Sequence, residues 1–141
     1  MMKKIIGALE TCSLPDLEIF DIQIRIDTGA KTSSLHVDDI LKERREGKLG
    51  ASFIIHPDIY DVDKIVRCWA PIVDVRQIKS SNGKSEQRLV ISTTLQMDDI
   101  KKTIEVTLTD RSEMSYLMLL GRQGMGEDFL IDPSQSFMIS D

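Results

Sequence analysis

The sequence predicts an all-β protein, a small closed barrel with one or two short helices. Three observations favour this fold class. Apolar residues recur mostly at every second position, which is the period of a strand with one buried face. Thr, Val and Ile dominate these runs, and such side chains suit the pleated surface of a sheet. Turn-forming residues separate the runs at short intervals, as is usual where short strands follow one another.

The predicted strands begin with the amino-terminal segment MMKKIIGALE and continue with IQIRI at residues 22–26, whose three isoleucines share one face. The same period predicts further strands at 52–56, 64–78, 87–97, 101–110, 129–132 and 136–140. Asn82-Gly83 predicts a hairpin between two of them, because a type I′ turn needs a positive φ at both central residues. A second hairpin is expected around Asp98 and Asp99.

Two segments could form short helices. The first is SLHVDDILKERREG, residues 34–47, with its end near Gly47. The second is RSEMSYLMLLG, residues 111–121, in which Ser112 is a candidate N-cap and Gly121 lies where the pattern stops.

The size and composition are those of one soluble globular domain. The chain has 141 residues, of which 41% are hydrophobic and 29% charged. No internal repeat or low-complexity tract divides it, so residues 1–141 are expected to form a single domain. The net charge of −5 disfavours nucleic acid as a partner, because binding phosphates needs clustered Lys and Arg.

The cysteines and the amino terminus favour a cytoplasmic protein. Cys12 and Cys68 cannot form a disulfide framework and are interpreted as small buried apolar residues in a reducing compartment. The first apolar run stops at Glu10, which makes it too short for a signal peptide or a membrane helix. No membrane partner is expected.

The residues that carry candidate chemistry begin at Asp27. This aspartate follows the strand at 22–26 directly and precedes Thr28, Gly29 and Ala30, which are small enough to let another backbone or a ligand come close. From these residues alone the segment is either an ordinary turn or a catalytic loop.

A metal centre is not indicated. His36 and His56 are too few and too separated, and no H-E-x-x-H motif is present. A site of His36, Asp38 and Asp39 is imaginable, although adjacent aspartates more often form a helix cap or a solvated turn. We therefore expect no metal and no cofactor.

Several segments in the same order resemble one known family. RIDTGAKTSSLH at residues 25–36 and MLLGR at 118–122 are similar to the paired motifs of retropepsin-like aspartic proteases. The likeness is closer to a bacterial subgroup labelled "ATP-dependent zinc protease", although the residues support neither zinc nor ATP. It is carried further by SLPDL, RQIKSSNGKSEQRLVI and LTDRSEMSYLMLLGRQGMGEDFLIDPSQSFMI, at 13–17, 76–91 and 108–139. The resemblance covers nearly the whole chain.

The resemblance implies an acid-protease-like barrel and a peptidase. Asp27 would be the catalytic carboxylate, and Thr28, Gly29 and Ala30 would shape its loop. Leu119, Leu120 and Gly121 would pack beneath that loop and make it rigid. Amide hydrolysis of this type uses two carboxylates, one to activate water and one to protonate the carbonyl oxygen. Because the chain contains one Asp-Thr-Gly sequence, the second carboxylate must come from a homodimer.

The resemblance also suggests substrates and partners. Lys31, Asn82, Gly83 and Arg122 are candidate substrate-binding residues, and the Asn82-Gly83 hairpin has the chain position of the retropepsin flap. Family members are often associated with ATP-grasp ligases of the RimK type that add glutamate to proteins, so acidic, glutamate-rich tails are a candidate substrate. The alternative function is a non-catalytic peptide- or protein-binding barrel that partners an amino-acid ligase.

Overall fold

The computed structural model describes residues 3–57, 64–79, 83–110 and 116–139. Within these residues strands predominate, which confirms the all-β prediction. They are β1 (Lys4–Ile6), β2 (Leu9–Leu14), β3 (Ile19–Ile26), β4 (Ser33–His36), β5 (Asp38–Arg45), β6 (Lys48–Ile55), β7 (Val66–Lys79), β8 (Ser85–Met97), β9 (Ile100–Thr109), β10 (Met118–Leu120) and β11 (Phe129–Ile131). A 3-10 turn at Pro15–Leu17 and the four-residue helix α1 (Arg122–Met125) are the short helical pieces of the described chain.

Six strands close into a barrel in the order β2-β3-β10-β4-β9-β8. Closure occurs where Ser13 of β2 pairs with Gln96 of β8, so the barrel strands leave no open edge at that point. β10 lies between β3 and β4, parallel to the first and antiparallel to the second. Its register sets Leu120 opposite Ile26, which brings the end of β10 next to the residue that follows β3.

The barrel encloses an aliphatic core. Ile24, Leu35, Ile91 and Met118 are fully buried and belong to one cluster of buried apolar side chains. Cys12 and Cys68 are buried and free. Burial raises the pKa of Cys12 to about 12 and that of Cys68 to about 11, as expected for thiols that serve as small apolar groups. No helix in the described part of the chain is long and apolar enough to cross a bilayer.

The predicted helix at 34–47 is wrong. The segment forms β4 and β5, and β5 pairs with β6 through a turn at Glu46-Gly47, both of which have positive φ. That turn geometry matches the twist of a hairpin. The charged side chains that suggested a helix lie on an exposed edge, where the Trp69 indole donates to the Glu43 carbonyl (3.0 Å) and the Arg45 guanidinium lies over the Trp69 ring.

Two other elements differ from the sequence prediction. The first is the segment expected to be helical at 111–121. Its residues 118–120 form the strand β10, which pairs with β3 on one side and β4 on the other. Residues 111–115, which include Ser112, lie outside the described residues. Residues 136–139 are not a strand. They are held instead by the fully buried Glu10, whose carboxylate accepts hydrogen bonds from the backbone N–H groups of Met138 (2.9 Å) and Gly7 (2.8 Å).

Both predicted hairpins are confirmed as strand pairs. β7 and β8 are antiparallel, with Lys79 opposite Ser85 at the last described pair before the tip. Gly83 has the positive φ expected there, whereas Asn82 lies outside the described residues. β8 and β9 are joined at Asp98-Asp99, where Asp98 has a φ of 54°.

Candidate active site

The site is built around Asp27, at the point where β3 leaves the barrel. Ile24 and Ile26 point into the core, so the alternation ends at a half-buried Asp27 on the barrel rim. Its backbone N–H donates to the carbonyl oxygen of Leu120 (2.9 Å), and its carboxylate Oδ1 accepts from the N–H of Gly29 (3.0 Å). The carboxylate is therefore fixed both to its own loop and, through the backbone, to β10.

Gly121 allows the supporting segment to pack tightly. A Cβ at this position would lie 2.8 Å from the carbonyl carbon of Thr32 and 2.9 Å from the carbonyl oxygen of Ala30, both closer than side chains approach backbone. The N–H of Gly121 donates to the buried hydroxyl of Ser33 (3.0 Å). The loop after Asp27 and the Leu-Leu-Gly segment thus contact each other without intervening side chains.

Helix α1 fixes the other end of the loop. The N–H groups of Arg122 and Gln123 donate to the carbonyl oxygens of Ala30 and Lys31, each at 2.9 Å. The Arg122 guanidinium donates to the carbonyl oxygen of Thr28 (2.9 Å). Arg122 therefore braces the loop in this structure, and its predicted contact with substrate stays a prediction.

An open cleft of about 690 Å³ lies between this loop and the β7–β8 hairpin. On the side of the loop and the strands next to it, the lining residues are Asp27, Gly29, Ala30, Lys31, Thr32, Ser34, Thr107 and Leu119; on the side of the β7–β8 hairpin they are Arg76, Gln77, Ile78, Lys79 and Arg88. Four of these side chains are cationic and one is a carboxylate. The cleft is therefore a basic channel with a single acidic group on its wall.

Two of the cations are neutralised by neighbouring acids. Arg76 contacts Asp74 and Glu105 at 2.7 and 3.0 Å, and Arg88 contacts Glu86 at 2.8 Å. Lys31 and Lys79, in contrast, have no ion pair or hydrogen bond of their side chains within the described part of the molecule. The unpaired positive charge of the cleft is thus concentrated on these two lysines.

The structure brings most of the predicted site residues together. Asp27, Gly29, Ala30, Lys31 and Leu119 share the cleft wall, and Thr28, Leu120, Gly121 and Arg122 join them through hydrogen bonds or packing. Gly83 is not part of the cleft lining, and Asn82 lies outside the described residues.

Four residues that contact the site were not predicted from the sequence as site residues: Ser33, Arg76, Glu105 and Gln123. Ser33 lies within the Thr-Ser-Ser run of the quoted motif, which could have identified it. The other three meet only through the pairing of distant strands, and the sequence carries no local signal for that register.

The imagined site of His36, Asp38 and Asp39 is not assembled as a ligand set. His56 contacts Asp38, with Nε2 3.0 Å from Oδ2, and Asp39 is an exposed residue of β5 with a φ of 54°. Across the residues that the structure describes, no three His, Cys, Asp or Glu side chains are grouped to hold a metal ion.

Comparisons with known proteins identify the family of this chain and its relatives. A model of the RimB-like family, described as the retropepsin-like aspartic endopeptidase RimB, matches residues 5–141. A probable alpha-L-glutamate ligase of Shewanella pealeana (strain ATCC 700345 / ANG-SQ1) is 45% identical over 139 residues, which are 99% of this chain and 30% of that protein. A probable alpha-L-glutamate ligase of Desulfotalea psychrophila (strain LSv54 / DSM 12343) is 46% identical over 132 residues, 94% of this chain and 28% of that protein. The chain thus spans about 30% of the length of these relatives.

Among solved structures, the crystal structure of protein Lpg0085, with unknown function (DUF785), from Legionella pneumophila is similar over 99% of this chain and 100% of that one, with a TM-score of 0.82 and 26% identity. The barrel, the Asp-Thr-Gly-Ala loop and the match over residues 5–141 agree: the chain belongs to the RimB-like family of retropepsin-like aspartic endopeptidases.

Proposed function

We propose that the protein is a homodimeric aspartic endopeptidase in which Asp27 of each copy contributes one carboxylate to the catalytic pair. The observation that carries the proposal is the position of Asp27, on the wall of an open cleft and on a loop fixed by β10 and α1. Catalytic groups need such fixed supports, because small displacements reduce the rate steeply.

The dimer follows from the number of carboxylates that the reaction needs. The sequence contains one Asp-Thr-Gly, so the second Asp27 comes from an identical copy across a two-fold axis. The exposed hydroxyl of Thr28 is proposed to link the two loops there. Two carboxylates about 3 Å apart cannot both be ionised, so the pair holds one proton between them.

The proposed reaction uses the two carboxylates in different roles. The ionised Asp27 removes a proton from water, whose oxygen bonds to the carbonyl carbon of the peptide, while the protonated Asp27 donates its proton to the carbonyl oxygen. The C–N bond then breaks as the nitrogen takes the proton that the first Asp27 had removed from water, and a hydroxyl of the tetrahedral intermediate returns a proton to the second Asp27; the products are an amine and a carboxylic acid. No group other than water is consumed.

We propose a glutamate-rich polypeptide as the substrate. Lys31 and Lys79, which have no ion pair with any residue that the structure describes, lie on opposite sides of the cleft and would attract carboxylate side chains on either side of the bond to be cleaved. The relatives named probable alpha-L-glutamate ligase support the same class, since a glutamate ligase yields products with additional carboxylates. An ATP-grasp amino-acid ligase is accordingly the proposed partner.

The proposed compartment is the cytoplasm. Both cysteines are free and buried, which fits a reducing environment.

A second candidate function is a non-catalytic barrel that binds peptides for an amino-acid ligase. The observation that favours it is that relatives about 45% identical to this chain are named as ligases and contain this region as less than a third of their length. The two functions differ in turnover, and both use the same cleft.

The discriminating experiment is cleavage of a glutamate-tailed polypeptide, followed by mass spectrometry, with wild type and Asp27→Asn. We expect new termini with wild type, a loss of at least about 10³-fold with Asp27→Asn, and inhibition by a statine-containing peptide. Asp21→Asn is the matched control, because Asp21 lies on the same strand far from the cleft and has a positive φ that Asn tolerates.

Other outcomes would overturn the proposal. Binding of the polypeptide without turnover at any pH would favour the peptide-binding barrel. Activity that a chelator abolishes, and that Asp27→Asn retains, would indicate metal-dependent hydrolysis instead.

A further inference from the structure

One side of the cleft is formed by a part of the β7–β8 hairpin that has little core beneath it. We call residues 73–79 of β7 and 85–89 of β8 the arm. In β7 no residue after Ala70 is buried, and Val73 and Val75 are 49% and 41% exposed. The register of β7 against β8 also shifts between Ile72 and Asp74. On the β8 side Arg88 is buried and Leu89 packs partly against the core, but residues 85–87 are exposed. A two-stranded ribbon with so few buried side chains is only marginally stable in water, so the arm needs another support.

Arg76 links the arm to two other parts of the molecule and also pairs with an acid of the arm itself. Its Nε donates to Asp74 (2.7 Å), its Nη2 to Glu105 of β9 (3.0 Å) and its Nη1 to the hydroxyl of Thr32 (3.3 Å). Thr32 follows the catalytic loop directly. The planar guanidinium can donate in these three directions at once, which the single ammonium group of a lysine cannot do with the same geometry.

The contacts of Arg76 belong to a closed circuit of hydrogen bonds. The backbone N–H of Glu105 donates to the side-chain oxygen of Gln123 (3.1 Å), and the N–H of Gln123 donates to the carbonyl oxygen of Lys31 (2.9 Å). Lys31 is adjacent to Thr32, which returns the circuit to Arg76. The arm, β9, α1 and the catalytic loop are therefore joined by polar groups that each contact the next.

We infer that Arg76 is a positioning residue, which holds the arm at a fixed distance from the Asp27 loop and thereby sets the width of the cleft. Gln77, Ile78 and Lys79 line the cleft just beyond Arg76, so their position relative to Asp27 depends on this anchor. The inference rests on the proposed function only in treating the cleft as the substrate site. The mechanical coupling of arm and loop is a property of the fold.

Hydrogen exchange of the backbone amides tests the anchor without any assay of activity. In Arg76→Gln and in Glu105→Gln we expect amides of residues 77–79 and 85–88 to exchange about 10-fold faster or more, while those of residues 22–26 in the core strand β3 keep the wild-type rate. The double variant should resemble Arg76→Gln, because Glu105 contacts the arm through Arg76. The unchanged core rate shows that each variant has folded.

Arg45→Gln is the matched control. Arg45 also pairs with a glutamate of its own strand, Glu43 (3.1 Å), but on β5, outside the cleft. It should leave the exchange of the arm unchanged. Exchange of the arm within about twofold of wild type in both Arg76→Gln and Glu105→Gln would overturn the inference.

Kinetics provide the readout that distinguishes positioning from general stability. With a glutamate-rich peptide, Arg76→Lys should raise KM about fivefold or more and change kcat by less than about twofold, because the chemistry at Asp27 is untouched while the cleft widens. An unchanged KM in Arg76→Lys would overturn the positioning role. A wild-type protein that cleaves no such peptide would refute the proposed function, and the exchange rates would still decide whether Arg76 anchors the arm.

Discussion

Two glycines, Gly121 and Gly29, help to position Asp27 because they have no side chain. Gly121 has a φ of −90°, which any residue adopts, so its role is steric. A Cβ there would meet the backbone of Thr32 and Ala30. Gly29 similarly keeps its own amide 3.0 Å from the Asp27 carboxylate. Small residues at these points let backbone N–H groups and carbonyl oxygens hold the loop, and backbone contacts vary less with rotamer than side-chain contacts do.

The lowered pKa of His36 makes the free energy of unfolding decrease at acidic pH. Burial lowers the pKa of His36; the nearby His56 acts the same way, and Asp38 and Asp110 oppose it. The unfolded chain therefore binds a proton at this residue more readily than the folded protein. Above about pH 6.5, the ordinary pKa of an unfolded histidine, His36 is neutral in both states and costs no stability. As the pH falls below that value, protonation of His36 in the unfolded chain lowers the free energy of unfolding.

We expect wild type to lose more free energy of unfolding than His36→Gln between about pH 7.5 and about pH 5.5. Gln keeps a polar side chain of similar size that does not titrate. Urea unfolding of both proteins at the two pH values measures the difference, and groups common to both proteins cancel from it. Equal losses in the two proteins would contradict the prediction.

At the scale of elements, α1 depends on contacts outside itself. A helix of four residues cannot be stable alone, because nucleation costs more than its few hydrogen bonds return. The ammonium group of Lys102, on β9, donates to the carbonyl oxygen of Met125 (2.9 Å) and to Asp128 (2.8 Å) at the carboxyl end of α1. Lys102 thus supports the carboxyl end of α1, whose amino end holds the Asp27 loop through the N–H groups of Arg122 and Gln123.

Lys102→Met should therefore lower the free energy of unfolding by about 1–2 kcal/mol, since it leaves the Met125 carbonyl and the Asp128 carboxylate without their common donor. Lys101→Met is the control: the neighbouring side chain is exposed on the opposite face of β9, and its loss should change stability by less than about 0.5 kcal/mol. Chemical denaturation of the two variants gives the comparison. Equal effects would show that Lys102 does not support α1.

The elements that the sequence predicted correctly are those whose signal is local. β7, β8 and β9 show a period of two and are separated by turn residues with positive φ, so their type and pairing could be predicted. The helix predicted at 34–47 failed because helix-forming charged residues there cover an edge strand, and strand pairing with β6 outweighs their intrinsic preference.

The candidate site divides in the same way. The loop at Asp27 and the Leu-Leu-Gly segment are short motifs, and the structure brings them into contact as the resemblance implied. The circuit through Arg76 joins groups from four elements, so it depends on barrel closure and strand register. Barrel closure and strand register depend on residues far apart in the chain, so they could not be predicted from any short segment of the sequence.

For the whole molecule, the proposed reaction raises the question of how one chain can supply two carboxylates. The chain provides a closed six-stranded barrel with one Asp27 loop at its rim, and the cleft beside that loop is open. A second copy that faces the first across a two-fold axis would double every group of the site without any further sequence. Activity would then belong to pairs of subunits, which has a quantitative consequence.

Mixing wild type with an equal amount of Asp27→Asn, at constant total subunit concentration, should reduce activity to about one quarter of that of wild type alone, because random pairing leaves about one quarter of the dimers with two aspartates. Independent monomers would retain about one half. The mixture is left until subunits have exchanged, and the initial rate of cleavage of a glutamate-tailed polypeptide is then measured. An equal mixture with Asp21→Asn, which preserves Asp27, should keep the full rate. A value of one half with Asp27→Asn would mean that each barrel acts alone, and the shared proton would no longer explain the chemistry.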